Sequence, residues 1–310
     1  MINGKAYFDR DGNKIHAHGG CIIRHGDWWY WYGEDRRDNR YVSCYRSADL
    51  ADWEWRGTVL SADSPVMGDV PGRNPKLKEI EPDGTLRKVN IERPKVLYNE
   101  KTEKFVMWAH YENGTDYKEA CACVAISDTP DGEFTYIGSF RPCGCMSRDC
   151  TLYRDDDGAV YFISAARDNA DLHVYRLTEE YLDVAEQVNK LYADGYREAP
   201  AVFKKDGMYY MITSYCTGWA PNQGKWSSAE RMEGKWSALA DFGDETTYGS
   251  QSAFVLPVED EAGKRRYYYI GDRWCGGGEA YFSSTYVVLE IQFDEKGHPY
   301  IEFTEKAPVM

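Results

Sequence analysis

Glu198-Ala-Pro-Ala-Val-Phe203, followed by the turn Lys205-Asp-Gly207 and the run Met208-Tyr-Tyr-Met-Ile212, is the stretch on which the fold turns. A polar residue stands ahead of a short apolar run, Asp and Gly supply a tight turn, and an aromatic run returns: the chemistry of a β-hairpin. The unit occurs five times. Upstream stand Asp149-Cys-Thr-Leu-Tyr153 with Val160-Tyr-Phe-Ile-Ser164, Glu92-Arg-Pro-Lys-Val-Leu-Tyr98 with Lys104-Phe-Val-Met-Trp108, and His18-Gly-Gly-Cys-Ile-Ile-Arg24 with Trp28-Trp-Tyr-Trp-Tyr32. Downstream stands Gln251-Ser-Ala-Phe-Val-Leu256 with Arg266-Tyr-Tyr-Tyr-Ile270, and His25-Gly-Asp27 and Asp155-Asp-Asp-Gly158 are further turns of the same kind.

The leading polar residues are spaced by 74, 57, 49 and 53 residues, and a four-stranded propeller blade needs roughly 40 to 50. The expected fold is therefore all-β, a five-bladed β-propeller with blades of four antiparallel strands, and one domain spanning residues 1–310. That length is ordinary for a single large β unit. The surplus in the first spacing falls in 61–90, rich in Pro, Gly and charge, and is read as a long surface loop. Only Leu177 to Leu191 has helix-like spacing; it is read as an outer strand and loop, with an amphipathic helix as the competing reading.

Blades stand radially with their first strands innermost, so one residue from the start of each can reach a shared mouth. Those residues are His18, Glu92, Asp149, Glu198 and Gln251, although Asp149 lies one residue nearer its apolar run than Glu92 or Glu198 does. A polar residue ahead of a strand is ordinarily just a solvated end; five in register point to a site. Clustered carboxylates raise one another's pKa, which keeps one of them protonated near neutrality. Hydrolysis of a glycoside with inversion uses such an acid and a base roughly 6.5 to 9.5 Å away.

Composition narrows the partners. Aromatic residues make up 15% of the chain, with 25 Tyr and 10 Trp, favouring strands and offering flat faces to sugar rings. A formal charge of −14 repels polyphosphate and anionic lipid, so nucleic acid and membrane are not expected partners. The sequence has no apolar run of about 18 residues, and its start lacks the pattern of an export signal. Cytoplasmic residence is the expectation, or secretion if a leader has been trimmed; oligomeric state is not legible.

Nine cysteines, an odd number, argue for reduced thiols. Cys121-Ala-Cys123 and Cys143-Gly-Cys145, with Cys150 beyond, invite a metal hypothesis, but structural zinc favours longer gaps. They are read as small buried hydrophobes, and neither a metal nor a cofactor is expected.

Ser147-Arg-Asp149 with Asp155-Asp-Asp-Gly158, and Arg197-Glu198-Ala-Pro200 with Lys205-Asp-Gly-Met-Tyr-Tyr210, resemble segments of glycoside hydrolase family 43. The resemblance implies a five-bladed propeller that inverts configuration. The family's usual base Asp at the first inner strand is missing, because that stretch reads His16-Ala-His18-Gly-Gly20. With Trp31-Tyr-Gly-Glu34, Glu92-Arg-Pro-Lys95 and Gly249-Ser-Gln251-Ser252 it is similar to the family's exo-β-1,3-galactanase branch, where a Gln in its imidic-acid tautomer is thought to act as base. That resemblance implies Glu198 as acid, Gln251 as water-positioning group, and Glu92 and Asp149 as supporting carboxylates. His18, Glu34 and Tyr111 would bind the sugar, and Trp219 and Trp274 would stack on it or serve packing. From the residues alone an amide is a poor base, so Glu92 acting through water stays open.

The expected activity is exo-acting release of galactose from β-1,3-galactan or arabinogalactan-type oligosaccharides or polysaccharides. Arabinofuranose, xylose or galactofuranose on the same fold is the alternative. A propeller that binds glycans without cleaving them is the alternative of another class.

Overall fold

The computed structural model describes residues 1–260 and 262–309. Its first sheet runs in chain order through β1 (His18–His25), β2 (Trp28–Glu34), β3 (Arg40–Ser47) and β4 (Glu54–Ser61). After a short hairpin, β5 (Lys78–Ile80) with β6 (Leu86–Lys88), comes the second: β7 (Asn90–Asn99), β8 (Lys104–Glu112), β9 (Cys121–Ser127) and β10 (Thr135–Phe140). The third holds β11 (Cys150–Arg154), β12 (Val160–Ala166), β13 (Asp171–Leu177) and β14 (Val184–Leu191). The fourth holds β15 (Arg197–Lys205), β16 (Met208–Tyr215), β17 (Gly224–Ala229) and β18 (Ala240–Phe242). The fifth holds β19 (Gln251–Glu259), β20 (Arg265–Arg273) and β21 (Thr285–Glu290), and a small pair, β22 (Gln292–Phe293) with β23 (Pro299–Tyr300), follows.

The first strands β1, β7, β11, β15 and β19 each touch the next, and β19 touches β1, closing the ring of a five-bladed β-propeller. Alternation along each strand turns one set of side chains to each neighbouring blade, so the core is divided into five apolar clusters, one per interface. The segment with helix-like spacing is strand, β13 running out at Leu177 and β14 ending at Leu191. The surplus after blade one is a surface excursion pinned by isolated bridges, Val66 to Tyr136 and Asn74 to Ser139. Cys121 and Cys123 are buried on β9 as expected, whereas Cys143 is exposed and Cys145 half-buried in a single 3-10 turn, so the buried reading fails for that pair.

Closure joins the two ends of the chain. Beside β21 the Gly4 N–H donates to Tyr286 O (2.8 Å). The buried Asn3 side chain then acts as one more peptide of the ladder: Val288 N–H donates to its Oδ1 (2.7 Å) and its Nδ2 donates to Val288 O (2.9 Å) and Thr304 O (3.0 Å). Asn3→Ala strands those groups in the last blade's interface. A loss of about 2–4 kcal/mol is expected from the orphaned donors and acceptors, measured by urea unfolding; unchanged stability would mean the ring closes by other means.

Candidate active site

All five inner strands begin at the same mouth, and three of them begin with the same device. The pairing with the second strand slips by one residue between His18 and Cys21, between Glu92 and Lys95, and between Glu198 and Ala201. The residue after each polar one takes positive φ: Gly19 at 60°, Arg93 at 53°, Ala199 at 52°. Such bulges re-aim a side chain at a strand end. At Gly19 a Cβ would stand 2.8 Å from Glu34 Oε1, so the first copy admits only glycine. β11 pairs from Cys150 without a slip, which accounts for the one-residue offset of Asp149.

Glu34, Glu92, Asp149, Glu198, Gln251, Trp219 and Trp274 line one cavity of about 280 Å³ at this mouth, with Arg36, Arg93 and Tyr117. The volume is near the lower end for a small-ligand site. A second cavity of about 210 Å³ lies farther along the inner strands, walled by Val96, Leu152, Phe203 and Phe254. Its lining has a single carboxylate, Asp156, with no second one to work against it, so the chemistry belongs to the first.

Glu198 accepts from Gln251 Nε2 at Oε1 (3.0 Å) and from Asn169 Nδ2 at Oε2 (3.0 Å). Burial, then the negative charge of Asp149, push its pKa up to about 7 against the pull of Arg93. Each carboxyl oxygen keeps a lone pair beyond these bonds, enough to carry a proton. A carboxyl half-protonated at neutral pH is suited to donate one.

Arg93 is the hub. Its Nε meets Asp149 Oδ1 at 2.9 Å, its Nη2 donates to Gln251 Oε1 (2.5 Å), its Nη1 donates to Ser252 O (2.9 Å), and its N–H donates to Glu34 Oε1 (3.0 Å). Gln251 Oε1 also accepts from Trp274 Nε1 (2.9 Å). Guanidinium and indole are donors only, so the amide oxygen must face them. The amide NH2 is thereby turned to Glu198 and to Ser214 Oγ (2.9 Å).

Glu92 behaves oppositely to Glu198. Although burial pushes it up, His110, Arg36 and Tyr117 hold its pKa down to about 2. Arg36 Nη2 (3.0 Å) and Tyr117 Oη (2.7 Å) both donate to Oε1. Glu34, buried beside Arg36 and the Tyr281 hydroxyl, is pushed up by burial. The cavity thus sets a carboxylate held as the anion, Glu92, against a carboxyl held as the acid, Glu198.

Two expected sugar contacts are corrected. His18 is wholly buried: its Nδ1 lies 2.8 Å from Asp272 Oδ1, and its ring stacks on Tyr286 (4.5 Å, 15°) and backs Trp274 (5.4 Å). It supports the wall and does not reach the cavity. Tyr111 is buried between blades one and two, its hydroxyl accepting from Asn74 Nδ2 (3.3 Å). On β8 it alternates with His110, which faces Glu92, and therefore points to the other side. Tyr117 is the tyrosine at the cavity, in a loop that carries no periodic signal. Arg36, Arg93 and Asn169 also belong to the site without a place in the repeat of leading polar residues; Arg93 is marked in the sequence as a charged side chain where the other two bulges have Gly19 and Ala199.

Trp274 both packs on Tyr281 (5.8 Å, 27°) and meets Trp219 edge-on (5.6 Å, 71°); Trp219 is 43% exposed, leaving a face for a ring. Among the described residues no group of three or more His, Cys, Asp or Glu could hold a metal ion.

Residues 94–241 match the family model described as Glycosyl hydrolases family 43. The chain is similar to an exo-β-1,3-galactanase from Clostridium thermocellum at 45% identity and a TM-score of 0.86, covering 98% of this chain and 65% of that one. A family 43 β-1,3-galactosidase with galactodeoxynojirimycin matches at 33% identity and 0.86, covering 99% of each chain. An exo-β-1,3-galactanase from Phanerochaete chrysosporium with β-1,3-galactotriose matches at 34% and 0.84, covering 98% of this chain and 67% of that one. No curated protein sequence matches.

Proposed function

The chain belongs to glycosyl hydrolases family 43, and on that premise we propose that it is an exo-acting, inverting glycoside hydrolase that releases galactose from β-1,3-galactan or arabinogalactan-type chains. The observation that carries the reading is Glu198, a carboxyl whose pKa is pushed up to about 7 in a cavity with the anion Glu92. A protein that only bound glycans would gain nothing from such an acid.

Glu198 protonates the leaving glycosidic oxygen. Asp149 raises its pKa, Glu92 and Glu34 accept hydrogen bonds from sugar hydroxyls, and Trp219 and Trp274 offer ring faces. Gln251 places the attacking water, whose proton passes to solvent at the open mouth of the cavity while Glu198 regains one, which restores the acid. Glu198 and Gln251 touch at 3.0 Å, closer than the roughly 6.5 to 9.5 Å that seats a water and a ring between acid and base. The sugar must part them, breaking that bond and freeing one oxygen of Glu198 to face the leaving group.

A panel of β-1,3-galactobiose, β-1,3-galactotriose, and nitrophenyl arabinofuranoside, xyloside and galactofuranoside separates the readings. Release of α-configured galactose from the non-reducing end, followed by NMR, is expected. Faster turnover of a pentoside would move the substrate to that sugar, and binding without release from any substrate would overturn the enzyme reading.

A further inference from the structure

Behind the cavity wall, His110 on β8 stands opposite Glu92 on β7. It is 2% exposed. Its Nε2 lies 2.9 Å from Glu112 Oε1, and its Nδ1 lies 3.3 Å from Glu92 Oε2, an ion-pair contact that falls short of an aligned hydrogen bond. Both ring nitrogens therefore face carboxylate oxygens. A neutral imidazole has one N–H and one lone pair, and a lone pair against a buried carboxylate is repulsive; only the doubly protonated ring suits both sides.

We propose that His110 is a positioning residue, an imidazolium held between Glu92 and Glu112 that keeps the Glu92 carboxylate ionised and aimed into the sugar cavity. The surroundings of the ring fit that charge. Glu92 takes Arg36 and Tyr117 on its other oxygen, and Tyr117 lies 6.0 Å from the imidazole, ring to ring. Glu112, fully buried, accepts the Ala120 N–H (3.0 Å) at its second oxygen, and Arg148 Nε reaches Oε1 only at 4.0 Å. Without the imidazolium two buried carboxylates would share two arginines that each lie off to one side. Burial disfavours charge on the ring, yet Glu112 and Glu92 together raise its pKa to about 9.

Glu92 in turn offers the sugar an acceptor of fixed direction and charge. Loss of the His110 proton removes the cation on one of its oxygens, so the effect belongs on sugar affinity more than on the chemical step.

The test has two arms, of which only the kinetic one rests on the proposed activity. In the wild type the His110 Cε1–H resonance should stay at its imidazolium position at pH 8. In Glu112→Gln, which removes one flanking charge and keeps the shape, the ring should titrate at least about one pH unit lower. KM should begin to rise at correspondingly lower pH, a change separate from the loss of turnover above about pH 7 that belongs to Glu198. His110→Asn should raise KM about tenfold at pH 7 and change kcat far less. A ring that is neutral at pH 7, or a rise in KM that Glu112→Gln leaves at the same pH, overturns the proposal. Should no glycoside be hydrolysed, the proposed activity falls and the resonance alone decides on His110.

Discussion

Glu198→Gln is expected to lower kcat by about three orders of magnitude, the scale of a lost general acid, while oligosaccharide affinity stays within a few-fold. The shape of the cavity survives the change. The Asn169 Oδ1 is buried without a hydrogen-bond partner, so that amide can turn over and accept from the new NH2, while the other oxygen still receives Gln251. Wild-type activity should fall as pH rises past about 7, because the acid must carry its proton. The same shift acts on stability. A carboxyl raised from 4.5 to about 7 on folding contributes stability fully present below 4.5 and lost as pH rises through 7. Glu198→Gln should therefore be more stable than wild type at pH 8, on the order of 2 kcal/mol, with the difference gone at pH 4. Isothermal titration with β-1,3-galactotriose, initial rates and thermal melts at both pH values read all three. A variant that keeps a tenth of the turnover would remove Glu198 from the role of acid.

Much of this site could be read before any coordinates, because a propeller converts a repeat in sequence into convergence in space. Once Glu198-Ala-Pro and Glu92-Arg-Pro are seen as copies, both side chains belong at one mouth. What the repeat could not carry is what happens between copies. Tyr111 and Tyr117 differ by whether the residue sits on a strand, where alternation with His110 turns it inward, or in a loop free of that constraint. His18 occupies the right place in its blade, but Asp272 draws it inward, a partner 254 positions away that no local pattern announces. The last blade borrows the Asn3 side chain as a rung of its ladder, and a single asparagine near a chain end gives no periodic signal.

Arg93→Ala should be the most damaging single change, costing about 3 kcal/mol of stability, the low end for a buried ion pair that loses one partner, because Asp149 keeps 17% of its side chain exposed. Asp149 would keep its charge with the guanidinium at 2.9 Å gone, and Ser252 O and Gln251 Oε1 would each lose a donor. Glu198 would lose the positive charge that tempers its shift. Residual turnover should then persist to higher pH than in wild type. Adding Asp149→Asn removes the unpaired charge, so the double variant should recover part of the lost stability; equal stability of the two would mean that the charge was already solvated. Activity should not return with it, because Trp274 would be the one donor left on the Gln251 amide oxygen, and the amide could turn that oxygen toward Glu198. Arg93→Lys sharpens the distinction, since an ammonium can pair with Asp149 but lacks the fork that holds Asp149 and Gln251 together. If Arg93→Lys regains stability without turnover, what catalysis requires of Arg93 is the geometry of its fork as well as its charge.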